Sequence, residues 1–205
     1  MITRESQQMF NFATRMKRQR IALFISGNGS NARNISDFFQ NHSEIQVVLI
    51  LSSAQNPLMK EFCAEHGISF EVITHMESNA YIDVCQAYQI DWVILAGFLK
   101  KIPEDFIHQY PNRIMNVHPA LLPRFGGKGM YGKHVHEAVS KSKVRFSGIT
   151  IHLVNEEFDK GMVLAQFAFS LKKQLSSGEI EQEVRGLEAK HFPQVIESIV
   201  GSSSY

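Results

Sequence analysis

The chain is poor in cysteine, nearly neutral and without a long apolar run, and each shortage removes a class of protein. Cys63 and Cys85 are the only cysteines in 205 residues. They form neither a CxxC pair nor a disulfide framework, and two buried thiols are the expectation. No apolar stretch approaches the ~20 residues of a membrane span. Net charge is +1, from 21 basic and 20 acidic residues. Five of the basic groups (Arg4, Arg15, Lys17, Arg18, Arg20) lie in residues 1–20 against Glu5 alone, leaving 16 basic and 19 acidic groups beyond. A mildly acidic globular part offers no electrostatic case for nucleic-acid binding. Residues 1–20 also lack the apolar centre of a secretory signal and read as a loosely attached leader. With 44% hydrophobic and 20% charged residues, the remainder, 21–200, is expected to form one soluble, cytoplasmic domain.

Strand and helix signals then alternate. Ile21–Ile25 is a short apolar run, followed by Ser-Gly-Asn-Gly-Ser-Asn at 26–31 and a helical pattern from Ala32 to about Gln40. Such a βα unit offers backbone N–H groups and a helix N-terminus to a phosphate. It is neither a GxGxxG fingerprint nor a P-loop, and a plain tight turn is the competing reading. Val47–Leu51 is a second strand. Asn56, Pro57 and Gly67 punctuate the helix that follows. Phe70–Ile73, Trp92–Leu95 and Arg113–Val117 read as further strands. Between them come an amphipathic helix carrying Tyr81, Val84, Cys85 and Tyr88, and a short one over 103–110. Gly148–Val154 alternates apolar and polar residues and predicts a half-exposed strand. Val163–Phe169 is expected beside it, antiparallel, and a helix over 177–200 closes the domain. This order argues for an α/β fold: an open, mostly parallel, Rossmann-like sheet with helices on both faces. About 21–110 would form a phosphate-binding half and 111–200 a catalytic half. Ligands in such sheets lie at the C-terminal strand ends.

One of those ends carries Asn116-Val-His118-Pro119. Residues i and i+2 of a strand share a face, so Asn116 and His118 project into one space. Pro119 and Pro123 stop further pairing. An amide donor beside a titratable ring suits acyl chemistry: one steadies an oxyanion, the other moves a proton. The competing reading is a structural histidine and a turn-capping amide. The acidic loop 155–161 offers Glu156, Glu157 and Asp159 without a means of choosing among them. Glu188, beside the inner stripe of the last helix, reads as a solvated acid. His134 and His136, two apart on a helix, would not share a face, and no metal site is expected.

Four segments in order, ISGNGSN (25–31), VILAGFLKKI (93–102), RIMNVHPALLP (113–123) and ITIHLVNEEFDKGMVLAQ (149–166), resemble the folate-dependent glycinamide ribonucleotide formyltransferases of purine synthesis. The resemblance covers about residues 21–200 and implies the formyltransferase fold. It implies that Gly29, Ser30 and Asn31 hold the phosphate of glycinamide ribonucleotide and that Glu188 holds its ribose. It implies a catalytic trio of Asn116, His118 and Asp159, with Asp159 keeping His118 charged. 10-Formyltetrahydrofolate, the co-substrate, would lie beside Lys100, Lys101 and Ile102, with no metal. Lys100 stands where the family often has arginine, which removes a planar fork from the folate contact. The 124–133 loop is longer than the family's common pattern. The implied partners are the two substrates, without nucleic acid or membrane, in a monomer or homodimer. A 10-formyltetrahydrofolate hydrolase and a non-catalytic nucleotide- or folate-binding module are the alternatives. The first usually lacks SGNGSN, and the second would not need all three catalytic groups.

Overall fold

The computed structural model describes residues 18–74, 78–171 and 175–202. Most of the expected leader, residues 1–17, lies outside them. Arg18, Gln19 and Arg20 do not: β1 (Gln19–Ile25) starts at Gln19. Arg20 is anchored there, its amide donating to Asp91 Oδ2 at 2.9 Å and its Nε to the Tyr88 carbonyl at 2.9 Å.

The order continues α1 (Ser30–Phe39), β2 (Ile45–Ser52), α2 (Pro57–His66), β3 (Ser69–Val72), α3 (Ser78–Ala87) and β4 (Trp92–Leu95). Then follow α4 (Glu104–Gln109), β5 (Ile114–His118), α5 (Lys133–Lys141), β6 (Phe146–Leu153), β7 (Val163–Ser170) and α6 (Ser177–Gly201). One sheet holds all seven strands in the order β3-β2-β1-β4-β5-β6-β7. The first five are parallel, and β6 and β7 are added antiparallel. Local signals explain several boundaries. Asn56 caps α2 by accepting the Met59 amide, Pro57 occupies the first turn, and Gly67 ends the helix at φ 66°. Ser176 and Glu179 form a capping box at the start of α6.

Two apolar layers cover the sheet. Residues of α1, α2, α5 and α6 pack on one face, and α3 and α4 on the other. The chain changes face between β1 and β4, so a crevice opens at their C-terminal ends. Phe24 of β1 stands 5.5 Å from Phe98, 5.8 Å from Tyr81 and 5.8 Å from Phe106, ring centre to ring centre. That cluster pins the segment after β4 over the crevice. Both cysteines are free and buried, on α2 and α3. Burial pushes Cys63 up to about 11 and Cys85 up to about 12, so neither is a ready thiolate.

One expectation for the sheet is overturned. β6 is not half-exposed: every residue from Ser147 to Leu153 is buried. The alternation is real, but Thr150 and His152 face protein rather than water. The Thr150 hydroxyl donates to the Ala120 carbonyl at 2.7 Å and accepts the Leu122 amide at 3.0 Å. Those bonds clamp the exit from β5. A polar face buried with its partners satisfied gives the same sequence pattern as a wet one.

Candidate functional site

The crevice is a cleft of about 550 Å³ running from the N-terminus of α1 to the ends of β5 and β6. At the α1 end, Ser26 ties the first loop down. Its amide donates to the Gly97 carbonyl at 3.1 Å, and its hydroxyl accepts the Leu99 amide at 3.0 Å. Gly29 then takes φ 72° before the helix begins at Ser30, a left-handed conformation that glycine adopts without strain. A Cβ at Gly29 would also strike Met59. Among the described residues no side chain caps this end of α1. Ser30 and Asn31 line the cleft, and uncapped first amides of a helix suit an anion.

Asn31 Nδ2 donates to Glu188 Oε2 at 2.8 Å, joining α1 to α6. Glu188 is half-buried rather than a solvated acid. Burial raises its pKa, while the Asn31 hydrogen bond and Arg185 pull the other way. A carboxylate in that state suits hydroxyl donors. The cleft wall here also includes Arg185 and Glu181, one and two turns earlier on α6.

At the far end β5 presents Asn116, half-buried, and His118, buried, as their i, i+2 spacing requires. His118 Nε2 lies 2.8 Å from the Phe125 carbonyl oxygen. A carbonyl only accepts, so Nε2 carries the proton. Nδ1 lies 3.6 Å from Asp159 Oδ2, and that oxygen accepts the Gly127 amide at 2.8 Å. All three acids of the loop line the cleft, and Asp159 is the one that comes up against His118. Glu156 instead pairs with His108 of α4 at 3.2 Å. Asp159 and Phe125 both take φ 57°, sparsely populated for residues with a Cβ and typical of constrained functional loops. Gly161 closes the same loop, where any Cβ would run into the Leu153 carbonyl oxygen.

The charge state of His118 differs from the expectation. Burial pushes its pKa below the usual histidine range. Asp159 and the Phe125 carbonyl pull it up, His152 pushes it down, and the net direction is down. That direction favours the neutral ring, with an unprotonated Nδ1 facing Asp159. A single carboxylate 3.6 Å away offsets the loss of water only in part.

Lys100, Lys101 and Ile102 all line the cleft, but neither ammonium is free. Lys100 Nζ donates to the Thr74 carbonyl at 2.9 Å, and Lys101 Nζ pairs with Glu104 at 3.1 Å. Ile102 is buried and joins Leu95, Phe98, Val117 and Val154 in an apolar wall suited to a flat ring. Two further buried histidines line the cleft, His136, which sequence weighed only as a metal ligand, and His152, to which it gave no role. His136 of α5 has its Nδ1 enclosed without a partner among the described residues. His152 of β6 stands directly across from Asn116 in the ladder, with Nε2 3.1 Å from Asn116 Nδ2 and 3.7 Å from Asp159 Oδ1. The alternation of β6 was the available signal for His152, since it put that side chain on one face with Thr150. Among the described residues no group of three or more His, Cys, Asp or Glu is placed to hold a metal ion.

A family model described as formyl transferase matches residues 19–196. The chain is 38% identical over 192 residues to the chloroplastic phosphoribosylglycinamide formyltransferase of Arabidopsis thaliana, covering 89% of this chain and 66% of that protein. It is 29% identical over 191 residues to phosphoribosylglycinamide formyltransferase of Bacillus subtilis, covering 89% and 95%. The chain thus spans about two thirds of the length of its plant relatives, 66% and 62%. Glycinamide ribonucleotide transformylase 1 of Geobacillus kaustophilus has a similar structure, with TM-score 0.81 and 26% identity over 90% of this chain and 100% of that one.

Proposed function

The chain belongs to the formyl transferase family, and we propose that it moves the formyl group of 10-formyltetrahydrofolate onto the amine of glycinamide ribonucleotide in purine biosynthesis. The observation that carries this reading is the layout of one cleft. An uncapped helix N-terminus and the Asn31–Glu188 pair lie at one end, and Asn116, His118 and Asp159 at the other. The names of the Arabidopsis and Bacillus relatives support the choice of substrate.

In this reading the amides of Gly29, Ser30 and Asn31 bind the phosphate, and Glu188 accepts hydroxyl donors from the ribose. The apolar wall with Ile102 packs against the folate ring. Lys100 and Lys101 contribute backbone and side-chain stem, because their charged ends are paired elsewhere. Asn116 donates to the formyl oxygen as negative charge develops there. The neutral His118 takes the proton of the attacking amine on Nδ1, and the imidazolium is then held between Asp159 and the Phe125 carbonyl. As the new C–N bond forms and the bond to the folate nitrogen breaks, His118 returns the proton to that nitrogen. A donor aimed at an oxyanion contributes roughly 3–4 kcal/mol to such a step, and proton transfer by a positioned base about 10²–10⁴-fold in rate. The free, buried thiols support a reducing, cytoplasmic setting as part of the proposal.

The test is formyl transfer by purified protein, followed by folate absorbance with and without glycinamide ribonucleotide, for wild type and His118→Ala. Turnover that needs the ribonucleotide and collapses in the variant is expected. Turnover without it would assign a hydrolase instead.

A further inference from the structure

His152 takes no part in the roles above, yet its environment is specific. Its Nδ1 lies 2.8 Å from the Leu153 carbonyl oxygen, so the ring proton sits on Nδ1. Burial lowers the ring's pKa, the Leu153 carbonyl and Asp159 opposing, which favours the neutral ring. Nε2 therefore carries a lone pair, and 3.1 Å away it meets Asn116 Nδ2. Asp159 Oδ1, at 3.7 Å, lies outside hydrogen-bond range. An acceptor at that point decides which way the Asn116 amide faces. Nitrogen turned toward Nε2 makes a hydrogen bond, whereas oxygen turned that way would meet a second lone pair. The ladder itself sets the pair, since Asn116 and His152 are register partners. Thr150, the other polar side chain on that face of β6, is committed to Ala120 and Leu122. It cannot substitute.

We propose that His152 is a positioning residue for formyl transfer, orienting the Asn116 amide so that its second N–H is left for the substrate oxygen. The proposal rests on Asn116 being the oxyanion donor. Without the Nε2 acceptor the amide is free to turn over and offer its own oxygen to a developing negative charge. The effect of His152 thus passes entirely through Asn116, which separates positioning from a general structural role.

The experiment is a double-mutant cycle with a rescue. His152→Leu removes the acceptor, and His152→Gln supplies an amide oxygen in its place. Steady-state formyl transfer is measured for both, and for His152→Leu in the Asn116→Ala background. His152→Leu is expected to lower kcat about 100-fold, with the KM for the ribonucleotide within about 3-fold of wild type. His152→Gln should recover to within about 10-fold of wild type. In the Asn116→Ala background the Leu substitution should change kcat by less than about 3-fold. An undiminished Leu effect in that background, or a Gln variant no better than Leu, would overturn the proposal. Nitrogen-15 NMR of the wild type reads the same point without any variant, which covers a Leu protein that does not fold. A ring protonated at Nδ1 supports the proposal, and one protonated at Nε2 sinks it. Absence of wild-type formyl transfer to the ribonucleotide would instead remove the functional reading, a result distinct from either arm.

Discussion

Asp159 Oδ2 faces His118 Nδ1 at 3.6 Å while accepting the Gly127 amide at 2.8 Å, so one carboxylate oxygen both anchors the glycine-rich loop and opposes the ring. Burial still holds the His118 pKa below its ordinary 6.5, with Asp159 the largest opposing influence. In the proposed mechanism the neutral ring is the working form. The enzyme's acid limb in kcat/KM is therefore expected below pH 6.5. Asp159→Asn should move that limb further down, because it removes the group that raises the pKa, and should lower kcat about 10²–10⁴-fold. A pH–rate series on both proteins checks this. A limb that moves up in the variant would contradict the assignment.

Glu188 shows the opposite balance. Its pKa is raised by burial above the ordinary 4.5, so the folded protein keeps a proton that the unfolded chain has already lost. Stability is thereby reduced as pH rises above 4.5. Glu188→Gln retains an oxygen for Asn31 Nδ2 without the buried charge. It is expected to raise the melting temperature at neutral pH and to weaken ribonucleotide binding about 10- to 100-fold. Thermal melts and calorimetric titration with the ribonucleotide would test both halves. A variant less stable than wild type would show that the charge is better compensated than the geometry indicates.

His118, His136 and His152 are buried, and each has its pKa lowered, first by burial. Below pH 6.5 the unfolded chain binds protons that the folded protein refuses, so stability rises with pH there. Their contribution is full above 6.5 and is lost as pH falls. The melting temperature should therefore decline between about pH 6.5 and 5. His136→Leu should flatten that slope with little loss at neutral pH, since the enclosed Nδ1 has no partner among the described residues to forfeit. Scanning calorimetry across the range would decide. An unchanged slope would mean that His136 does not contribute.

Gly161 supports the loop that carries Asp159. A methyl group there would overlap the Leu153 carbonyl oxygen, which is backbone and cannot swing aside. Gly161→Ala is expected to destabilise the fold by about 1–3 kcal/mol and to lower kcat by displacing Asp159. Denaturant melts and formyl-transfer kinetics on the same preparation would separate the two effects. A variant with wild-type kcat would show that Asp159 does not depend on this closure.

Periodicity and punctuation made most of the fold legible. Trp92–Leu95 and the helix between Asn56 and Gly67 have the boundaries that their residues announce. The i, i+2 spacing already placed Asn116 and His118 in one space, because a strand's pleat is a local property. Sequence could not say that His152 of β6 lines the cleft, that Asp159 rather than Glu156 or Glu157 reaches His118, or that Glu188 meets Asn31. These depend on contacts across tens of residues of chain, for which no local pattern stands.

The charge state of His118 was beyond local reading for the same reason. A neighbouring anion is visible in a motif, but desolvation belongs to the whole enclosure. Sequence by itself determined which chemical groups were available and which strand would carry the amide and imidazole. Tertiary structure alone decided their partners and protonation, because burial and distance set electrostatic energies.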